Sequence, residues 1–97
     1  MIDLEKLTAA DFADRMQDKF TLWTAGGAVD LVLADLEEFG PAPSGRNAFS
    51  LRFVGPLRPI LPQAIYRLEN AAMGPLEIFC VPLGPKDGGM RYEAVFT

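Results

Sequence analysis

The 97 residues contain no histidine, which removes the commonest general base, the commonest zinc ligand and the side chain that titrates near neutral pH. Nucleophilic catalysis would fall to Cys80. It sits between Phe79 and Val81 in the apolar run LEIFCVPL, with no base or cation beside it to stabilise a thiolate, which is the setting of a small buried hydrophobe. Acid–base chemistry has one opening, because Glu69 and Glu93 both fall on strand-patterned segments, facing away from the aromatics, where neighbouring strands can pair carboxylates. The alternation of Arg67, Glu69, Arg91 and Glu93 fits better as a solvated outer face with cross-strand charge pairs. If the fold holds a pocket, Arg52, Tyr66, Tyr92 and Glu93 are the binding candidates. No catalytic residue, metal ligand or cofactor is expected. Gly26-Gly27 and Gly88-Gly89 suit hairpin turns, not a strand-to-helix phosphate cradle.

Composition narrows the partners. A net charge of -4 and nine scattered basic residues argue against phosphate-backbone binding, so nucleic acid is set aside. No stretch approaches the roughly 20 apolar residues of a membrane span, and the start MIDLEKLTAADF has no basic-then-apolar leader pattern. With a single cysteine no intrachain disulfide forms, and a cytoplasmic location is the expectation. One domain, residues 1–97, is of ordinary size for a single core.

The elements follow from hydrophobic period. LTAADFADRM carries a helix start, with Thr8 as cap, Asp11 at the third helical position, and Leu7 and Phe12 placed as a hydrophobic staple. Ala9, Phe12, Ala13 and Met16 then form a stripe predicting about two to three turns, with Asp14 and Gln17 in solvent. From Lys19 the period becomes two. KFTLWT and VDLVLADL make a hairpin around Ala25–Ala28, and Leu36 out of phase with Leu31 and Leu33 signals either a bulge near Ala34 and Asp35 or a strand end apolar on both faces. FGPAPSGRN reads as a surface loop. Strands follow in FSLRFVG, AIYRLE, LEIFCVPL and MRYEAVFT. LEIFCVPL is apolar on both faces, which predicts a central strand or one covered on both sides, with Pro82 at its end or at a bulge. Asp87-Gly88 is the favoured turn dipeptide before the last strand.

The fold class is therefore mainly β, with one short N-terminal helix and about six antiparallel strands. They form a small barrel or a tight sandwich whose end the helix covers. In a barrel, Phe49, Phe53, Tyr66, Ile78, Tyr92 and Phe96 would line and fill the interior. Trp23 is expected to close the core, its alternative being an exposed partner anchor.

The blocks FSLRFVGP, LPQAIYRLENAAMGPLEIFCVPLGP and MRYEAVFT resemble an uncharacterised family of small bacterial proteins, a domain of unknown function with close variants of these blocks in this order. The resemblance covers the last half of the chain and implies no activity, ligand or catalytic residue. The family pattern has Gly where Ala64 stands and tends to His where Asn70 stands, so no histidine role carries over.

A chain rich in structural signals and poor in reactive side chains points to a non-enzymatic protein-interaction or assembly module, its partner another protein or itself. The alternative is a small-molecule-binding barrel or minimal enzyme using the Arg52, Tyr66, Tyr92 and Glu93 set. GPLRPILPQ spaces Pro56, Pro59 and Pro62 three apart, the polyproline repeat, yet it lies between strands. It reads as a stiff connection spanning one barrel end, with Leu57, Ile60 or Leu61 turned inward; side chains left outside would form the first candidate partner surface.

Overall fold

A computed structural model describes residues 4–97. A 3-10 turn at Leu4–Lys6 and a helix, α1 (Ala9–Ala13), precede six strands: β1 (Lys19–Thr24), β2 (Gly27–Pro41), β3 (Asn47–Gly55), β4 (Ala64–Asn70), β5 (Gly74–Lys86) and β6 (Gly89–Phe96). All pairings are antiparallel, and the ring β1-β2-β3-β6-β5-β4 closes through β1 and β4 into a barrel. Two three-stranded meanders thus meet at β3/β6 and at β1/β4. The β3-to-β4 connection has to cross a barrel end, because those strands are separated by two others either way round.

Alternation decides which side chains enter. Leu31 and Leu33, Phe49, Leu51 and Phe53, and Tyr92, Ala94 and Phe96 are buried on one face of their strands, and they join a continuous core cluster. Of the predicted lining residues, Phe49, Phe53, Ile78, Tyr92 and Phe96 are buried and Tyr66 is half-buried against the cluster. Three slips in register interrupt the ladders, between Leu33 and Asp35, between Pro82 and Gly84, and between Glu38 and Pro41 towards the end of β2. The first is the bulge signalled by Leu36. The second seats Pro82 beside an interruption of the ladder, where its missing N–H costs least.

Helix α1 closes one end by burying Phe12 against Phe49 and Phe96, at 5.8 and 5.6 Å between ring centroids. At its start the Asp11 carboxylate accepts a 2.8 Å hydrogen bond from the Thr8 amide. The helix is shorter than its apolar stripe predicts. Gln17 adopts a φ of 69, its amide donates to the Leu33 carbonyl at 2.8 Å, and the Leu33 amide donates to Asp18 at 3.1 Å. The helix thus ends at Ala13, and pairing with β2 takes over directly after Met16, which still packs on the core. Arg46 holds the same end, donating to the carbonyls of Leu4 at 2.8 Å, Leu7 at 2.6 Å and Thr97 at 3.0 and 3.1 Å. Its guanidinium lies over the stacked Phe49–Phe96 pair.

One expectation is corrected and two are narrowed. Trp23 does not close the core: it stands on the outer face at 47% exposure, opposite Ala28 and Arg67. β5 is a central strand, paired on both edges, and of the two alternatives it is this one that holds, since its outer face is uncovered, with Phe79 at 50%. The loop expected at FGPAPSGRN is confined to 42–46, since β2 runs to Pro41 and β3 begins at Asn47.

Candidate interaction surface

The four sequence-predicted residues fall in two places. Arg52 and Glu93 are register partners on the outer face. Arg52 also meets β2 there, at 2.8 Å from Asp35 and 3.3 Å from Glu37, with Glu93 at 3.5 Å. The hydrogen bond to Asp35, with Glu37 and the charge of Glu93 behind it, raises the Arg52 pKa above its ordinary value despite partial desolvation. A guanidinium ringed by three carboxylates has its charge already answered. Arg52 and Glu93 line an open depression with Asp35, Lys86 and Arg91.

Glu69 and Glu93 do not meet. Glu69 lies opposite Pro75 and Glu93 opposite Val81 on β5, six residues apart, or about 20 Å at strand rise. Arg67 pairs with Glu69 along one strand at 2.9 Å and Glu93 pairs across strands with Arg52, whereas Arg91 donates to the Gly84 carbonyl at 3.4 Å.

Tyr66 and Tyr92 sit under the proline connection. The Leu61 amide donates to the Tyr92 hydroxyl at 3.1 Å, and the Tyr66 hydroxyl donates to the Pro62 carbonyl. Burial of its ring, together with Cys80 and Tyr92 nearby, raises the Tyr66 pKa, so the donor keeps its proton at neutral pH. Burial likewise pushes the Cys80 thiol up to about 12, which leaves no thiolate for chemistry. Among the described residues no group of His, Cys, Asp and Glu is arranged to hold a metal ion.

What the tyrosines hold in place is a rim. Leu61 turns inward and is buried, whereas Leu57 at 46% and Ile60 at 64% exposure project outward between Pro56, Pro59 and Pro62. The Arg58–Pro59 peptide is cis. The inward turn expected of Leu57, Ile60 or Leu61 is thus made by Leu61 alone. A second apolar surface lies outside β4, β5 and β6, where Ile65 opposes Phe79 and the β5/β6 register carried on from Val81 and Glu93 places Val95 in the same row. Ile65, Phe79 and Val95 are 67%, 50% and 58% exposed, and they line an open depression of about 310 Å³ with Leu4 and Glu77. Alternation sets Ile65 opposite in face to Tyr66 and Val95 opposite to Tyr92, but the sequence carries no signal that this outer row is left uncovered.

A family model described as a domain of unknown function, DUF6916, matches residues 7–96. The chain belongs to that family. The match takes in α1 and every strand of the barrel. No curated protein and no solved structure matches the chain. In this DUF6916 domain the rim and the Ile65–Phe79–Val95 row are both apolar and both open to solvent, as are the side chains of Trp23 on β1 and Phe39 on β2.

Proposed function

We propose that this DUF6916 domain is a non-enzymatic protein-interaction module whose contact element is the proline rim. The observation that carries the reading is the pairing of exposure with restraint. Leu57 and Ile60 are open to solvent on a segment anchored by the buried Leu61 and by hydrogen bonds to two tyrosines. Apolar side chains on an already ordered loop cost little further entropy when a partner covers them, which is how preorganisation improves affinity. Surface apolar residues scattered singly need no explanation, but grouped and rigidly displayed ones mark contact sites. Tyr66 and Tyr92 act in this reading as positioning residues, through the loop.

The test is crosslinking in cells of the source organism, with a photoreactive phenylalanine analogue at position 60 and, as control, at Asp30, an exposed polar position on β2. A discrete heavier adduct from position 60 and none from position 30 is expected. Equal, diffuse labelling from both positions, or none from position 60, refutes the rim as a contact surface.

A further inference from the structure

We propose that the partner of the rim is a second copy of this chain, whose Ile65–Phe79–Val95 depression receives Leu57 and Ile60. The inference rests on the rim being a contact surface, and it commits to what covers it.

The two surfaces are complementary in shape and in polarity. One is a projecting loop with two aliphatic side chains; the other is an open depression across three strands, with Ile65, Phe79 and Val95 as its apolar floor and Arg46, already bonded to the carbonyls of Leu4, Leu7 and Thr97, at its border. Their charges match as well. Arg58 lies between Leu57 and Ile60 on the rim. Glu77 lines the depression, two residues before Phe79 and on the same face. Arg67 is the cross-strand partner of Glu77 but turns to Glu69 at 2.9 Å, which leaves Glu77 without an ion pair among the described residues. Arg58 also forms none there, in contrast to Arg15, Arg52 and Arg67. A copy inserting its rim would bring an unpaired guanidinium to an unpaired carboxylate at the edge of an apolar contact, the arrangement that fixes register and rejects like-charged partners.

Rim and depression are different surfaces of one molecule, so the contact is heterologous. Each copy that fills a depression leaves its own depression open, and assembly proceeds head to tail into a ring or an open chain. A single loop entering a shallow depression buries less than a standard interface, so association is expected at roughly tens to hundreds of micromolar.

Sedimentation of the full chain and of two blocked variants tests this. Ile60→Asp removes the rim and Phe79→Asp the depression; both residues are exposed, and circular dichroism checks that the fold is kept. Wild type should gain mass with concentration, and each variant alone should stay at 10.6 kDa. An equimolar mixture should form a 1:1 complex, because one variant keeps an intact rim and the other an intact depression. Arg58→Glu and Glu77→Arg should each weaken wild-type association at least about tenfold, and the double variant should recover it. Wild type that stays monomeric to about 1 mM, a mixture that stays monomeric, or self-association surviving in either blocked variant overturns the proposal. If the chain is monomeric yet position 60 still crosslinks in cells, only the second copy as partner is lost; if crosslinking fails too, the rim itself is.

Discussion

Replacing Tyr92 by Phe removes one oxygen and keeps the ring that fills the barrel. That oxygen accepts the Leu61 amide at 3.1 Å, and both residues are buried, Tyr92 at 1% and Leu61 at 6% exposure. Water cannot replace the acceptor without opening the loop, so the variant leaves a buried donor unpaired, at a cost of about 1–3 kcal/mol. Since the aromatic packing is retained, about 1–2 kcal/mol is expected, a fall in Tm of about 5–10 °C for a domain of this size. Tyr66→Phe is the internal control. Its hydroxyl donates to the carbonyl of Pro62, an exposed residue that water can serve instead, so a loss under about 0.5 kcal/mol is expected. Urea denaturation gives both energies, and hydrogen exchange at the Leu61 amide reads the loop directly, with faster exchange expected in Tyr92→Phe. If Tyr92→Phe is as stable as wild type and the Leu61 amide stays protected, the tyrosine does not hold the rim and the restraint argument fails.

Arg46→Ala should cost about 2–3 kcal/mol in urea denaturation, since it deletes charge-assisted bonds to three carbonyls and the contact with two rings, with Arg46→Lys recovering only part. Cys80 supplies a pH dependence: its folded pKa is raised to about 12 from an ordinary value of 9.0, so the neutral thiol's contribution is complete below the unfolded value and is lost as pH rises towards the folded one. Going from pH 8 to pH 10 should remove about 1.4 kcal/mol of stability, seen as a falling urea midpoint, and Cys80→Ala should flatten that fall. Ser50 is 1% exposed and its hydroxyl has no hydrogen-bond partner among the described residues, so Ser50→Ala should leave the denaturation midpoint unchanged or raise it, because no partner is orphaned.

Period-two alternation was enough to read the strands, because inward and outward positions are fixed by backbone geometry wherever one face is buried. The out-of-phase Leu36 marked the β2 bulge for the same reason. Alternation is silent on closure, which depends on β1 finding β4 across the chain; barrel and sandwich were equally compatible with the strand pattern. It is also silent on what covers an outer face. Trp23 was expected in the core because size was read as burial, when the strand's geometry points it to solvent, and an apolar outer face on a central strand such as β5 does not say whether anything covers Phe79. The helix failed differently: its stripe extends to Met16, but the helix ends at Ala13, and hydrogen bonds from Gln17 and to Asp18 draw the chain onto β2 directly after Met16.

The candidate site was half legible. Tyr66 and Tyr92 were singled out as pocket residues because tyrosines offer a polar atom on an apolar body. The structure uses that same property inward, against a loop. Arg52 and Glu93, named as pocket candidates together with the tyrosines, lie apart from them on the outer face, where they answer each other. With the reactive-looking side chains paired or used in anchoring, apolar surface remains open to solvent, and beside it Arg58 and Glu77 are among the charged side chains that have no ion pair among the described residues. A monomer gains nothing by holding Leu57 and Ile60 rigidly in water, since neither the closed ladder nor the packed core depends on them. A contact does gain, because the entropy of ordering the loop has been met before the partner arrives. For that reason the rim and the depression, not the charged cluster around Arg52, are where this chain's function is to be sought.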